Sequence, residues 1–390
     1  MSVRVASVLL LLASVLPAQV VIPVMGGGAA LQQAVLAASP GDILDVHPGN
    51  YSSVTVTRGL RLLLQPGVQI VGGPYTVSLT ISAIPAGETL VVAGGRLQGI
   101  SALGCAGTVV WDGIYILENF FDVSWIDGCT GPVACQGVQG GASYFAQSRI
   151  QVRDCSQVSF HGGTLPSVRV TNSTVTFHGV VIPKHNTASG LAIDSGSVSI
   201  AGGSMAGGNF FSLPVELPGI SMTQGTLVLT DGALIIAETY WHAFYPSSPG
   251  VSAIEAGSGT VVLDPSVSFV TWPGTSGVSG GANVTNRSVP SLAMLRQPGA
   301  FHLALRAEPG SVLFTAWNLP LPAIHLPFGE LWLDPASPVL AVTAMPASGR
   351  AVVSGSLPVA PPFQVLVAQS LAWTAAGELL LGVPDRVVWD

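Results

Sequence analysis

A short apolar strand that ends on Gly or Pro recurs from Leu44 to Pro265. It reads "LDVHPG" at Leu44–Gly49, "VQIVGG" at Val68–Gly73, "LVVAGG" at Leu90–Gly95 and "TVVWDG" at Thr108–Gly113. It continues as "VACQG", "VSFHGG", "VTFHG", "VSIAGG", "LVLTDG" and "VVLDP". The second apolar residue of each falls at Val46, Ile70, Val92, Val110, Cys135, Phe160, Phe177, Ile200, Leu229 and Leu263. The steps run from 17 to 34 residues with a mean of about 24, inside the range of solenoid repeats. A strand this short is not stable alone, so each must pair with its counterpart in the next repeat.

A second strand often precedes the first across a polar turn, as in "IQVRDCSQVSF" and "VRVTNSTVTF". Both strands alternate apolar and polar residues, so each has one buried face. Asp, Asn, Ser and Gly fill the turns because they tolerate left-handed backbone and bond their own main chain. Helical repeats are excluded, since 3.6-residue periodicity is almost absent. Variable steps suit a right-handed parallel β-helix, in which insertions leave as loops while strands stay stacked, the hand following from the crossover rule. About ten coils at ~4.8 Å each give a rod of roughly 48 Å. The first coil needs its edge covered. "AALQQAVLAAS" lies just before it, with Leu31, Val35 and Ala38 on one face of a short helix, and reads as an end cap.

The stretch "LQQAVLAASPGDILDVHPGNYSSVTVTRGLRLLLQPG", Leu31 to Gly67, resembles the opening of secreted right-handed parallel β-helix proteins of the pectate-lyase-like fold. Capping helix, Pro-Gly-Asp turn, strand and Pro-Gly-x-Tyr corner carry the resemblance. It implies a fold and no activity, because that fold carries lyases, hydrolases, epimerases and non-catalytic surface proteins. The lyases use clustered Asp residues for calcium with an Arg or Lys base, and the polygalacturonases use Gly-His-Gly and Arg-x-Lys motifs. Neither motif occurs here, and Lys184 is the only lysine, so no family catalytic residue carries over.

The N-terminus "MSVRVASVLLLLASVLPAQ" has a charged start at Arg4, an apolar stretch from Val5 to Leu16 and small residues before Gln19. It reads as a secretory signal peptide cut near Ala18, which leaves no membrane span and a secreted or cell-surface protein. Charged residues are 8 % of the chain against a usual quarter, and the net charge is −7, so no basic patch is available for nucleic acid. After the Gly/Ser/Asn stretch Thr275–Pro290 the repeat stops, and short strands with Pro-rich turns follow, as in a small antiparallel β-sandwich. The ending, from "LPFGELWLDP" to "GELLLGVPDRVVW", resembles a C-terminal module of exported planctomycete-like proteins. The expected organisation is signal peptide 1–18, capped β-helix 19–290 and β-sandwich 291–390.

Four groups of residues are candidates for function. Asp127, Arg153, Asp154, Asn172 and Asp194 sit beside the polar turns. One or two coils between carboxylates would match glycosidase spacing, with Asp127 and Asp154 as the best pair, against the plainer reading that Asp and Asn form turns. His161 and His178 would be outward neighbours able to hold a metal, or two solvent-facing rings. The loop "ETYWHAFYPSSPG" carries Tyr240, Trp241, Phe244 and Tyr245, either a platform for sugar rings or packing against the scaffold. In an exported chain four cysteines suggest disulfides. Cys105, Cys129 and Cys155 share one turn in successive coils, so Cys129 is expected to pair with Cys105 or Cys155, while Cys135 takes an inward position.

The sequence therefore describes an exported all-β protein: a β-helix followed by a β-sandwich. Its leading functional reading is a non-catalytic glycan- or surface-binding or structural protein, with polysaccharide or a cell-surface component as partner and no cofactor. The rival is a polysaccharide lyase or glycoside hydrolase acting along the rod.

Overall fold

The structure, a computed structural model, describes residues 19–389 apart from segments 74–75, 118–122, 141–148, 185–187, 209–216, 238–249, 272–273, 298–299, 319–323, 327–328, 338 and 356–363. Strands dominate. Parallel strands stack in three sheets: one of fifteen described strands, one of ten and one of four. The first sheet runs from Val21–Val24 through Thr108–Asp112 and Gly196–Ala201 to Asn283–Asn286, and the second from Val54–Val56 to Val278–Gly280.

Alternation decides what each strand buries. Leu90, Val109, Val133, Val158, Val175, Val198, Leu227 and Val261 pair in unbroken register along the first sheet, and all are at most 1 % exposed. The neighbouring inward column holds Leu44, Leu62, Val92, Trp111, Cys135, Phe160, Phe177, Ile200, Leu229 and Leu263. Phe160 and Phe177 stack at 5.1 Å between centroids. Leu44 thus belongs to this second column, and Val68 pairs Gly49 beyond an irregularity in strand Arg61–Ile70.

With the second apolar residue of each repeat inward, as at Cys135, Val110 would point inward and Trp111 outward; the reverse holds. Trp111 pairs Cys135 and is fully buried in the solenoid core. Val110 points out and packs with Val91, Ala134 and Val365. A one-residue slip flips every side chain of a strand; Thr108 and Asp112 mark the outward face that Val110 shares, a signal masked by the apolar run of Val109, Val110 and Trp111.

The cap forms where expected. Helix Ala30–Ala37 buries Leu31 and Val35, and Ala38 follows at 2 % exposure. Strand Val21–Val24 adds to the sheet edge by pairing Ile43–Val46. At the turns, Asp154 and Asn172 take positive φ of 52° and 46°. Gly196, Gly225 and Gly259 stack at one corner, and a Cβ on Gly225 would lie 2.3 Å from the Gly196 carbonyl oxygen.

From Ser291 the pairing becomes antiparallel. A three-stranded and a five-stranded sheet share one core, with Leu292, Met294 and Leu303 from the first and Leu313, Ala372 and Leu380 from the second. These sheets lie against the outer face of the long parallel sheet. Val365 joins Val91 and Val110, and Val383 joins Ala201 and Val262. Among the described residues no helix is long and apolar enough to cross a membrane.

The expected disulfide does not form: all four cysteines are free and buried. Stacking carries Cys105, Cys129 and Cys155 along the same turn, as expected, and all three are buried there. The thiol of Cys129 donates to the Ala102 carbonyl and that of Cys155 to the Ile126 carbonyl, each in the preceding repeat. The three thiols also hydrogen-bond in series, Cys105 with Cys129 and Cys129 with Cys155, so they neighbour one another as reduced thiols. Cys135 lies inward, where burial pushes its thiol well above the ordinary value.

Candidate functional site

The outer face of the second sheet gathers the polar groups the solenoid core cannot accept. Strands Val123–Asp127, Arg149–Arg153, Ser167–Thr171 and Leu191–Ile193 are parallel neighbours. Ile126, Val152, Val170 and Ile193 point in and are buried. The intervening positions must then point out. Trp125, Gln151 and Arg169 align in one outward row, and Asp127, Arg153 and Thr171 in the next.

These side chains lock together. Arg153 Nε and Nη2 donate to Asp127 Oδ1 and Oδ2 at 2.9 and 2.5 Å, and the guanidinium carbon lies 5.7 Å from the Trp125 ring centre. Arg169 donates in the same two-pronged way to Asp194 at 2.7 and 3.0 Å, and Thr171 Oγ1 adds a bond of 2.9 Å. Arg149 stands close enough to Arg169 and Asp194 to feel both charges. Asp154 accepts from Asn172 Nδ2 at 2.7 Å. Such bidentate pairs fix geometry as well as charge. Three arginines meet three aspartates, so the face is formally neutral.

The arrangement is a poor acid–base pair. The hydrogen bond from Arg153 holds Asp127 below the usual carboxylate value. Burial would raise Asp194, but the hydrogen bonds from Arg169 and Thr171 outweigh it and leave it lowered. A glycosidase acid needs the opposite shift. The expected pair, Asp127 and Asp154, flanks one guanidinium: Arg153 donates twice to Asp127 and lies 3.9 Å from Asp154, which also accepts from Asn172. Asp194, three strands from Asp127 at about 14 Å, is beyond the roughly 5–9.5 Å of glycosidase carboxylates. What the face offers instead is a half-exposed indole beside a pinned guanidinium, an amide and carboxylate edges, a surface suited to stacking and hydrogen bonding.

His161 and His178 are register neighbours on the first sheet, with rings 6.2 Å apart and 17° from parallel. Neither is a free surface group. Strand Asp385–Trp389 covers them, and Asp385, fully buried, places Oδ1 2.9 Å from His161 Nδ1. Among the described residues no group of three or more His, Cys, Asp or Glu has the geometry to hold a metal. Tyr240, Trp241, Phe244 and Tyr245 lie outside the described residues.

Sequence reasoning found Asp127, Arg153 and Asp194 but missed Trp125, Gln151 and Arg169. Their signal was present in "SWID", "IQVRD" and "VRVTN", where every second residue ahead of the turn is polar or aromatic. Asp385 had no local signal. No family model matches the chain, and no curated protein matches it.

Proposed function

We propose that this chain is an exported, non-catalytic right-handed β-helix protein of the pectate-lyase-like fold that binds uncharged glycans on the outer face around Trp125. In this reading about ten coils form the scaffold, residues 1–18 are its cleaved signal peptide, and the C-terminal β-sandwich serves attachment at the cell surface. One observation carries the proposal: Arg153 is pinned to Asp127 directly beside the Trp125 ring. A free arginine cluster would select acidic polymers; arginines already neutralised by Asp127 and Asp194 do not. An indole face flanked by fixed donors and acceptors suits the apolar face and hydroxyl rim of a neutral sugar ring.

The test is a glycan array followed by titration calorimetry on the full chain. Trp125→Ala is expected to weaken the best neutral ligand roughly tenfold, or about 1.4 kcal/mol. Its unfolding free energy should change by no more than about 1 kcal/mol, the scale of an exposed cation–π contact. Binding unchanged by the substitution overturns the site. Polysaccharide cleavage that is lost in Asp127→Asn replaces the binder with the enzyme.

A further inference from the structure

The covered histidines have a second consequence. Asp385 closes the contact between the C-terminal sheets and the solenoid, yet it is a carboxylate with no exposure to water. It accepts from His161 Nδ1 at 2.9 Å, from the Met294 main-chain N–H at 2.6 Å and from the Arg386 N–H at 2.8 Å. His178 Nε2 donates to the Pro384 carbonyl at 2.6 Å. That bond fixes the tautomer: in neutral His178 the bare Nδ1 faces Asp385 Oδ1, 3.8 Å away. A lone pair facing an anion in a dry contact repels it, and a second proton on His178 would place two stacked cations beside one carboxylate.

The other charged and polar groups around this node are few. On the solenoid side Gln157 meets the Arg386 guanidinium, and Asp231 acts on His178 through space while pairing with Arg306 at 3.2 Å. Arg306 also reaches Asp264 at 3.6 Å. On the C-terminal side the Arg386 guanidinium lies over the Trp332 ring at 4.6 Å. Apolar contacts flank the node, Val110 with Val365 and Ala201 with Val383.

We propose that Asp385, His161 and His178 form a proton-set latch that holds the C-terminal sheets on the solenoid while one imidazole is charged and opens when both are. The directions of titration agree. Asp385 draws His161 above its ordinary value against the cost of burial. His161 therefore strengthens docking fully below about pH 6.5 and loses that contribution as pH rises through its raised value. Burial, followed by repulsion from His161, lowers His178 despite Asp385. Released His178 takes a proton near pH 6.5 that the docked ring refuses, so docking weakens as pH falls from there through its lowered value. Docking is tightest between the two limits.

Hydrogen exchange of the full chain across pH 5 to 8, corrected for intrinsic rates, tests this. Amides of strand Asp385–Trp389 are expected to exchange slowest near the middle of the range and several-fold faster at pH 5, as His178 takes up its proton. Strands of the solenoid core, such as Val175 to His178, should not follow. His178→Gln keeps a donor for the Pro384 carbonyl and cannot titrate, so the acid limb should vanish. If it does not fold, proton NMR of the wild-type rings decides, with His161 expected to titrate above and His178 below the ordinary value. A flat exchange profile, an acid limb unchanged in His178→Gln, or two rings titrating together at the ordinary value each overturns the latch.

Discussion

Trp111 shows how one residue can be misjudged by pattern and still be decisive. It is fully buried between Val92 and Cys135 in the inward column, and its indole N–H has no hydrogen-bond partner. The solenoid there tolerates an unmet donor in exchange for the largest side chain of its core. Trp111→Ala should cost about 3–5 kcal/mol, as for other large-to-small changes in packed cores, measured by denaturant unfolding. A loss under about 1 kcal/mol would mean that the site collapses freely or that the ring is not inward. The adjacent Val110 belongs to a different contact, so the two residues answer different questions.

At the scale of elements, what could be read in advance was what alternates. Val158, Val175 and Val198 were the clearest members of their column because each is flanked by polar residues on both sides and its strand is closed by Gly. The cap was legible for the same reason, with Leu31 and Val35 one helical turn apart. Legibility failed where an outward position was itself apolar: Val110 reads as core, yet it is floor for the C-terminal sheets, beside Ala134 and Val365. At the cysteines the shared turn was legible and their state was not: the stacked thiols hydrogen-bond one another and stay free. The corners add a test of stacking. Gly225 has φ +122°, and an added Cβ would sit 2.3 Å from the Gly196 oxygen. Gly225→Ala is therefore expected to destabilise by roughly 1–3 kcal/mol through strain at an unfavourable backbone angle. Thermal unfolding checks it, and an unchanged midpoint would mean the strands are not stacked this closely.

For the whole molecule, the parallel sheets form a rod whose long outer face is split between two tasks. One part, on the second sheet, presents Trp125 and its arginines to solvent; the other, on the first sheet, is roofed by the C-terminal sheets. The roof rests on two small apolar clusters on either side of the buried Asp385 node. Small apolar contacts around a buried charge make docking weaker than folding of either part, because only the clusters gain from burial while the node must first lose its hydration. Val110→Asp separates the two. Its side chain points away from the solenoid core and toward Val365, so a carboxylate there leaves the stacked strands intact but must be desolvated for the roof to close. Calorimetry of this variant is expected to resolve two transitions where the wild type shows one. Strand Asp385–Trp389 should exchange its amides faster across the whole pH range, while Trp111 and its column stay protected. A single transition at a lower temperature, with protection lost throughout, would show that roof and rod fold as one cooperative unit and that the outer face of the first sheet is core.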